Sequence, residues 1–230
     1  MSRSIDEQRQ AAATAEVPGP RLPAEARVEA TASDGGTVAV GDPGLIGLPM
    51  FLVGSVALGL VLVGFVPPAA AGGSIPIVMT ATGIGLLIAA VWAARLAQSA
   101  VAGVFGIFAG FWLSYAALVL GLTHGWFAIA KPDVVRTQEL FLISWLVVIG
   151  LLTLGSVRLP MAFTALFVLV EAALVLDLLG TIYASTGLIK TAGWAVFAFV
   201  VVGAYLFMSA MSAATGGRPF PLGRPALHRG

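Results

Sequence analysis

Three carboxylates stand inside or at the edge of stretches that are otherwise hydrocarbon: Asp42, Glu171 and Asp177. In such surroundings a carboxylate can cap a helix, carry a proton or handle an ion, and leaving it ionised at the centre of a bilayer costs at least about 3 kcal/mol. Glu171 and Asp177 are six residues apart, about 240° around a helix, so they cannot form one paired-carboxylate site. Asp177 lies near the end of its apolar run and suits an aqueous rim or a pairing with Lys190. Glu171 lies mid-run with no partner in the sequence. A proton-coupling role and a purely polar role within a helix bundle both remain open for it.

Asp42 precedes Pro43 in GDPGLIGLPMF, residues 41–51. A carboxylate followed by proline is a helix start: the side chain accepts from free backbone N–H groups, and proline gives up nothing at the first helical position. Exposed N–H groups at such a start also suit a small carboxylate ligand. An ordinary capped helix, kinked at Pro49, is the alternative account of the same residues.

Other chemistries have little support. The chain has no cysteine, so thiol catalysis and cysteine-held metals are excluded. No metal-ligand spacing, phosphate-cradling loop or nucleophile beside a histidine occurs, and His124 and His228 fall in a loop and a tail. The expectation is no enzyme, no metal and no cofactor. A net charge of +1 without a basic face argues against nucleic acid as a partner.

The elements that must position the carboxylates are membrane spans. Hydrophobic residues make up 59% of the chain, charged residues only 10%, and mean hydropathy is +0.99. Six apolar runs, each near the ~20 residues needed to cross ~30 Å of hydrocarbon, are expected at about Leu45–Val66, Ile75–Ala94, Val101–Leu122, Leu140–Val157, Pro160–Leu179 and Thr191–Ala214. They are too long and too unalternating for barrel strands. The fold class predicted is an all-α membrane protein, six transmembrane helices bundled around a narrow pore. Residues 1–41 mix Glu, Arg, Ala, Pro and Gly and are expected to be a disordered tail that remains on the mature protein, with residues 215–230 as a second tail. Arg3, Arg9, Arg21, Arg27, Arg95, Arg158, Arg218, Arg224 and Arg229 fall on one side, against Lys131, Arg136 and Lys190 on the other. That bias predicts cytoplasmic N- and C-termini.

The third run has two faces. Gly103, Gly106, Gly110, Ser114, Ala117 and Gly121 recur at gaps of three or four and form one stripe. Phe105, Phe108, Trp112 and Tyr115 take the opposite side. Small residues let helix backbones approach closely, within the chain or across a subunit boundary. The aromatic side then faces lipid, a packed core or a pathway.

GDPGLIGLPMF resembles the N-P-A-P-L-G-L-x-x-F signature of the acetate uptake transporter family, the SatP/YaaH-like acetate/succinate permeases. Asp42 stands at the family's Asn, Pro43, Gly47, Leu48 and Phe51 match, and Leu45 replaces the second proline. FGIFAGFW, residues 105–112, is similar to the family's F-T-S-Y-G-S-F-W, with Phe108 at the tyrosine and Ile107 at a serine. AGW at residues 192–194, Tyr205, and FPLG at residues 220–223 follow the family's late anchors. The second span lacks the family's polar Gln and Glu, and Ala210 and Ala213 replace polar residues usual there.

The resemblance implies a multi-pass protein of the cell membrane, in contact with lipid, that carries small monocarboxylates such as acetate, and also succinate. It implies substrate binding by Asp42, Pro43, Gly47, Leu48 and Tyr205, a hydrophobic constriction of Phe51, Phe108 and Val170, and a homo-oligomer, a hexamer with one pathway per subunit. Glu171 is unlike the family pattern, and beside an anion pathway it argues either for proton coupling or against conduction. The alternative function is a non-conducting relative that serves as a membrane sensor or assembly partner.

Overall fold

The structure, a computed structural model, describes residues 41–227; the tail expected over residues 1–41 lies outside them except for Gly41, as does His228. The described residues form six long helices and no strand. Helix α1 spans Gly44–Val63. The second crossing is composite: a 3-10 turn over Pro68–Ser74, a π-helical segment over Ile77–Ile84, then α2 over Gly85–Arg95. Helices α3 (Ser99–His124), α4 (Val134–Gly155), α5 (Met161–Ile182) and α6 (Thr186–Ala214) complete the set. All six are long and apolar enough to cross a membrane.

The helices pack as a ring in the order α2, α1, α6, α5, α4, α3. Glycines set the tight seams. A Cβ on Gly59 would press on Phe197 and Val196, one on Gly193 on Leu62 and Val63, and one on Gly203 on Leu52, so α1 and α6 can lie close only because these residues lack side chains. The α3–α4 seam differs. Their backbones approach little, and the gap is filled by rings: Phe111 lies 5.5 Å from Trp145 and 5.7 Å from Phe141, centroid to centroid. Gly110 of α3 receives the Trp145 ring edge.

The π-helical segment carries one extra residue per turn, which turns Thr82 toward Gly54 of α1 while Gly83 meets Leu113 of α3. Both are buried. Apolar periodicity alone carries no signature of such a bulge.

Two helix starts differ from expectation. Helix α4 begins at Val134 rather than near Leu140, because a 3-10 turn at Lys131–Asp133 leads straight into it and Arg136 pairs with Glu139 at 2.8 Å across one turn. Helix α6 begins at Thr186, not Thr191. The gap left between the expected spans, after Leu179 and before Thr191, is a tight turn instead: Ala184 takes a left-handed φ of 49°, Ser185 N–H donates to the Gly180 carbonyl at 2.8 Å, and the Ser185 hydroxyl accepts from Leu188 N–H at 3.4 Å. The polar residues there are a cap rather than a loop.

Candidate functional site

Helix α1 starts as its residue types dictate. The Asp42 carboxylate accepts from the Gly44 N–H at 2.8 Å, and the carbonyl of Pro43 accepts from Ile46 and Gly47. Pro43 is fully buried. Gly47 admits the ring of Phe105 from α3, which would collide with any Cβ at that position. One oxygen of that carboxylate, Oδ1, is therefore engaged by the helix's own backbone.

Two cavities occupy the interior of the ring. One, of about 460 Å³, opens at the end that carries the start of α1 and the end of α6; Asp42, Gly44, Leu48, Val104, Phe163 and Ser209 help to line it. The other, of about 370 Å³, lies toward the opposite end and is walled by Leu62, Trp112, Tyr115, Gln138, Val170 and Asp177, among others. Phe51 and Phe108 belong to the walls of both. Their rings meet edge to face with centroids 4.9 Å apart, at 5% and 4% exposure. Phe199 of α6 extends the contact on the Phe51 side at 5.6 Å, and Phe167 of α5 stacks on Phe108 at 6.1 Å. Four rings from four helices thus stand between two chambers.

The residues singled out in the sequence take different places. Asp42 and Leu48 line the first cavity, whereas Pro43 and Gly47 shape its helix by packing. Val170 is buried in the wall of the second cavity, one helical turn from Phe167. Tyr205 lines neither. Its hydroxyl donates to the Pro221 carbonyl at 2.8 Å and its ring lies 5.4 Å from Phe220, so it holds the segment after α6. That segment is further tied by Phe220 N–H to the Ser209 hydroxyl at 2.9 Å and by Ala162 N–H to the Leu222 carbonyl at 3.0 Å. Pro219 and Leu222 thereby become part of the first cavity's wall.

Glu171 faces Gly150 of α4, outside both cavities, and its Oε2 has no partner among the described residues. Asp177 forms no ion pair with Lys190, whose stem lies beside Gly64 at the end of α1. The position of an ammonium there suits the negative end of that helix. Asp177 lines the second cavity instead. On α3, Phe105, Phe108 and Trp112 point inward and are buried, while Gly103 and Ala117 on the small-residue side are exposed in the single chain. Phe167 and Phe199 were not singled out by sequence. Buried Val196, Phe199, Gly203 and Leu206 do recur at gaps of three and four, a face that spacing could have flagged.

A sequence profile of the GPR1/FUN34/yaaH family matches residues 27–218. The chain belongs to this family. A solved structure described as the bacterial acetate channel SatP superposes on this GPR1/FUN34/yaaH chain with a TM-score of 0.68 at 20% identity, covering 83% of this chain and 99% of that one. The six-helix membrane fold is shared with that channel. No curated protein sequence matches the chain.

Proposed function

We propose that this chain provides a route across a membrane for small monocarboxylates, acetate first among them. The observation that carries the reading is the shared wall: two cavities approached from opposite ends of one bundle are separated by the contact of Phe51 with Phe108. Family membership and the fold of the SatP channel support the same reading.

Apolar rings at a constriction exclude hydrated ions because water leaves a narrow greasy gap and the ion cannot bring its shell along. A small carboxylate that crosses as the neutral acid meets a lower barrier there, because no charge is taken out of water. In this reading substrate gathers in the first cavity beside Asp42 and Leu48 and crosses the rings to the wall formed by Val170. Pro43, Gly47 and Tyr205 hold the shape of that end. Proton coupling belongs to the proposal, with Asp177 and Glu171 as the two carboxylates within the spans, of which Asp177 lines a cavity and Glu171 faces Gly150 outside both. The distribution of arginines supports cytoplasmic termini in the cell membrane. The exposed small-residue positions of α3 and the family resemblance support a homo-oligomer, a hexamer of subunits that each keep their own path.

Uptake of labelled acetate into proteoliposomes tests the proposal. Uptake above that of empty vesicles is expected, with competition by other short monocarboxylates. Absence of uptake at both acidic and neutral pH would leave the second reading, a non-conducting membrane sensor or assembly partner, which the tight ring contact favours.

A further inference from the structure

The second span contributes no residue to the wall of either interior cavity, yet its backbone is the least regular of the six, a 3-10 turn and a π-helical segment before α2 begins at Gly85. Such π-helical turns are rare and occur mostly at functional sites. The segment packs equally closely on α1 and on α3, while α1 and α3 approach each other little. Its contacts fall beside the two rings that separate the cavities. Met50, the neighbour of Phe51, packs into the space left open by Gly85, and Thr82 packs into the space left open by Gly54, one turn past Phe51. On the other flank, Leu113 of α3, beyond Phe108, lies against Gly83.

Thr82 fills its place by bulk. It is fully buried, and its hydroxyl has no partner among the described residues. The buried hydroxyl beside it on α1, that of Ser55, already donates to the Phe51 carbonyl at 2.7 Å. A β-branched side chain is stiff at its first torsion, and the glycine opposite has no side chain that could yield. Pro49 leaves α1 one ladder bond short just before Phe51, so packing rather than the helix itself decides where that ring stands. The ring contact thus lies between two spacers: Phe105 against Gly47 toward the start of α1, and the second span against Gly54 and Leu113 beyond it.

We infer that the π-helical segment of the second span is a strut that sets the separation of α1 from α3, and that Thr82 is a positioning residue for the Phe51–Phe108 contact, acting through Gly54 without entering the path. The inference rests on the proposed transport reading for its purpose, but the separation of the two helices is measurable without transport. A strut of this kind transmits displacement. A methyl group added at Gly54 drives α1 away from the second span, and because that span stays packed on α3, the movement appears between α1 and α3.

The experiment measures the distance between spin labels on cysteines introduced at Val56 of α1 and Ala117 of α3, both exposed in the single chain and outside both cavities, in full-length protein diluted with unlabelled protein in proteoliposomes. Gly54→Ala is expected to widen that distance by about 1–2 Å and to raise acetate flux roughly fivefold. Adding Thr82→Ala moves the methyl group from one side of the contact to the other, and the double variant is expected to recover the distance and the flux of the unaltered protein. Thr82→Val keeps the shape without the hydroxyl and should keep the distance, with a higher melting temperature because an unpartnered buried hydroxyl is removed. A role in stability alone would lower the melting temperature of Gly54→Ala and leave the distance where it was. Where Gly54→Ala gives no assembled protein, Gly83→Ala makes the same test from the α3 side, relieved by Leu113→Val. An unchanged distance in the alanine variant, no recovery in the double variant, or a widened distance in Thr82→Val overturns the inference. A widened distance with unchanged flux leaves the strut standing and sinks the reading of the ring contact as the barrier, and raised flux at an unchanged distance does the reverse.

Discussion

Phe51 of α1 and Phe108 of α3 meet edge to face, with centroids 4.9 Å apart, at the one place where the two interior cavities share a wall. A side chain at Gly47 would hold the Phe105 ring, and α3 with it, away from α1. Gly47, one turn before Phe51, lets Phe105 settle on α1, and Phe108 follows Phe105 by one turn of α3. The contact is thus fixed by a glycine signature at one helix start and by aromatic spacing on another helix.

Truncating either ring is expected to open the path. Phe108→Ala in proteoliposomes should raise acetate flux about tenfold and admit small solutes that the unaltered protein excludes. The same change removes a buried ring and should cost about 3–5 kcal/mol of stability, so its folding is checked by thermal unfolding in detergent. Phe108→Leu, with a smaller loss of volume, should show an intermediate flux. Equal fluxes across the three proteins would place the barrier somewhere else.

Gly47→Ala tests the packing that sets the contact. A methyl group there strikes the buried Phe105 ring, and overpacking of this kind costs about 1–3 kcal/mol. The melting temperature is expected to fall clearly. Gly103→Ala, at a glycine with open space around it in the single chain, should leave the melting temperature of detergent-solubilised monomer almost unchanged. A reversed order of the two variants contradicts this assignment of roles.

The features legible in the sequence were those that depend on local spacing. The start of α1 follows from Asp42 and Pro43, the spans from apolar length, and the inward side of α3 from Phe105, Phe108 and Trp112. Helices α5 and α6 were harder because they are apolar nearly all round: spacing gave no reason to single out Phe167, and Phe199 stands out only when Val196, Phe199, Gly203 and Leu206 are read together as one face. Tyr205 illustrates a different limit. Its resemblance to a family position located it, but its partner lies 16 residues onward in a segment whose fold-back no periodic pattern encodes. Proximity in sequence also misplaced the Asp177 contact: the α5–α6 turn brings Lys190 near, yet the side chains leave in different directions.

The folded segment after α6 gives a prediction of its own. Ser209 is buried and its hydroxyl holds the Phe220 N–H, so Ser209→Ala leaves that donor without its partner and should cost about 1–3 kcal/mol. Tyr205→Phe removes a more exposed bond and should cost less. Hydrogen exchange at residues 218–223 is expected to accelerate in both, more in the first. Unaltered exchange in the double variant would show that Pro219 and Leu222 are held by apolar packing alone.

Glu171→Gln separates the two membrane carboxylates. Because Glu171 faces Gly150 outside both cavities, the pH profile of acetate uptake should be unchanged, and the melting temperature equal or higher, since an unpartnered carboxylate is removed. A flattened pH profile in Glu171→Gln, with Asp177→Asn behaving as the unaltered protein, would reverse the assignment.

The absence of cysteine allows the most direct measurement. Single cysteines at Leu118 and Val104 report on the two cavities separately, read by a membrane-impermeant thiol reagent added to one side of oriented proteoliposomes. With the rings intact, each cysteine should be modified from its own side only, and Phe108→Ala should make both reactive from either side. Modification of both from one side with Phe51 and Phe108 in place would contradict the account.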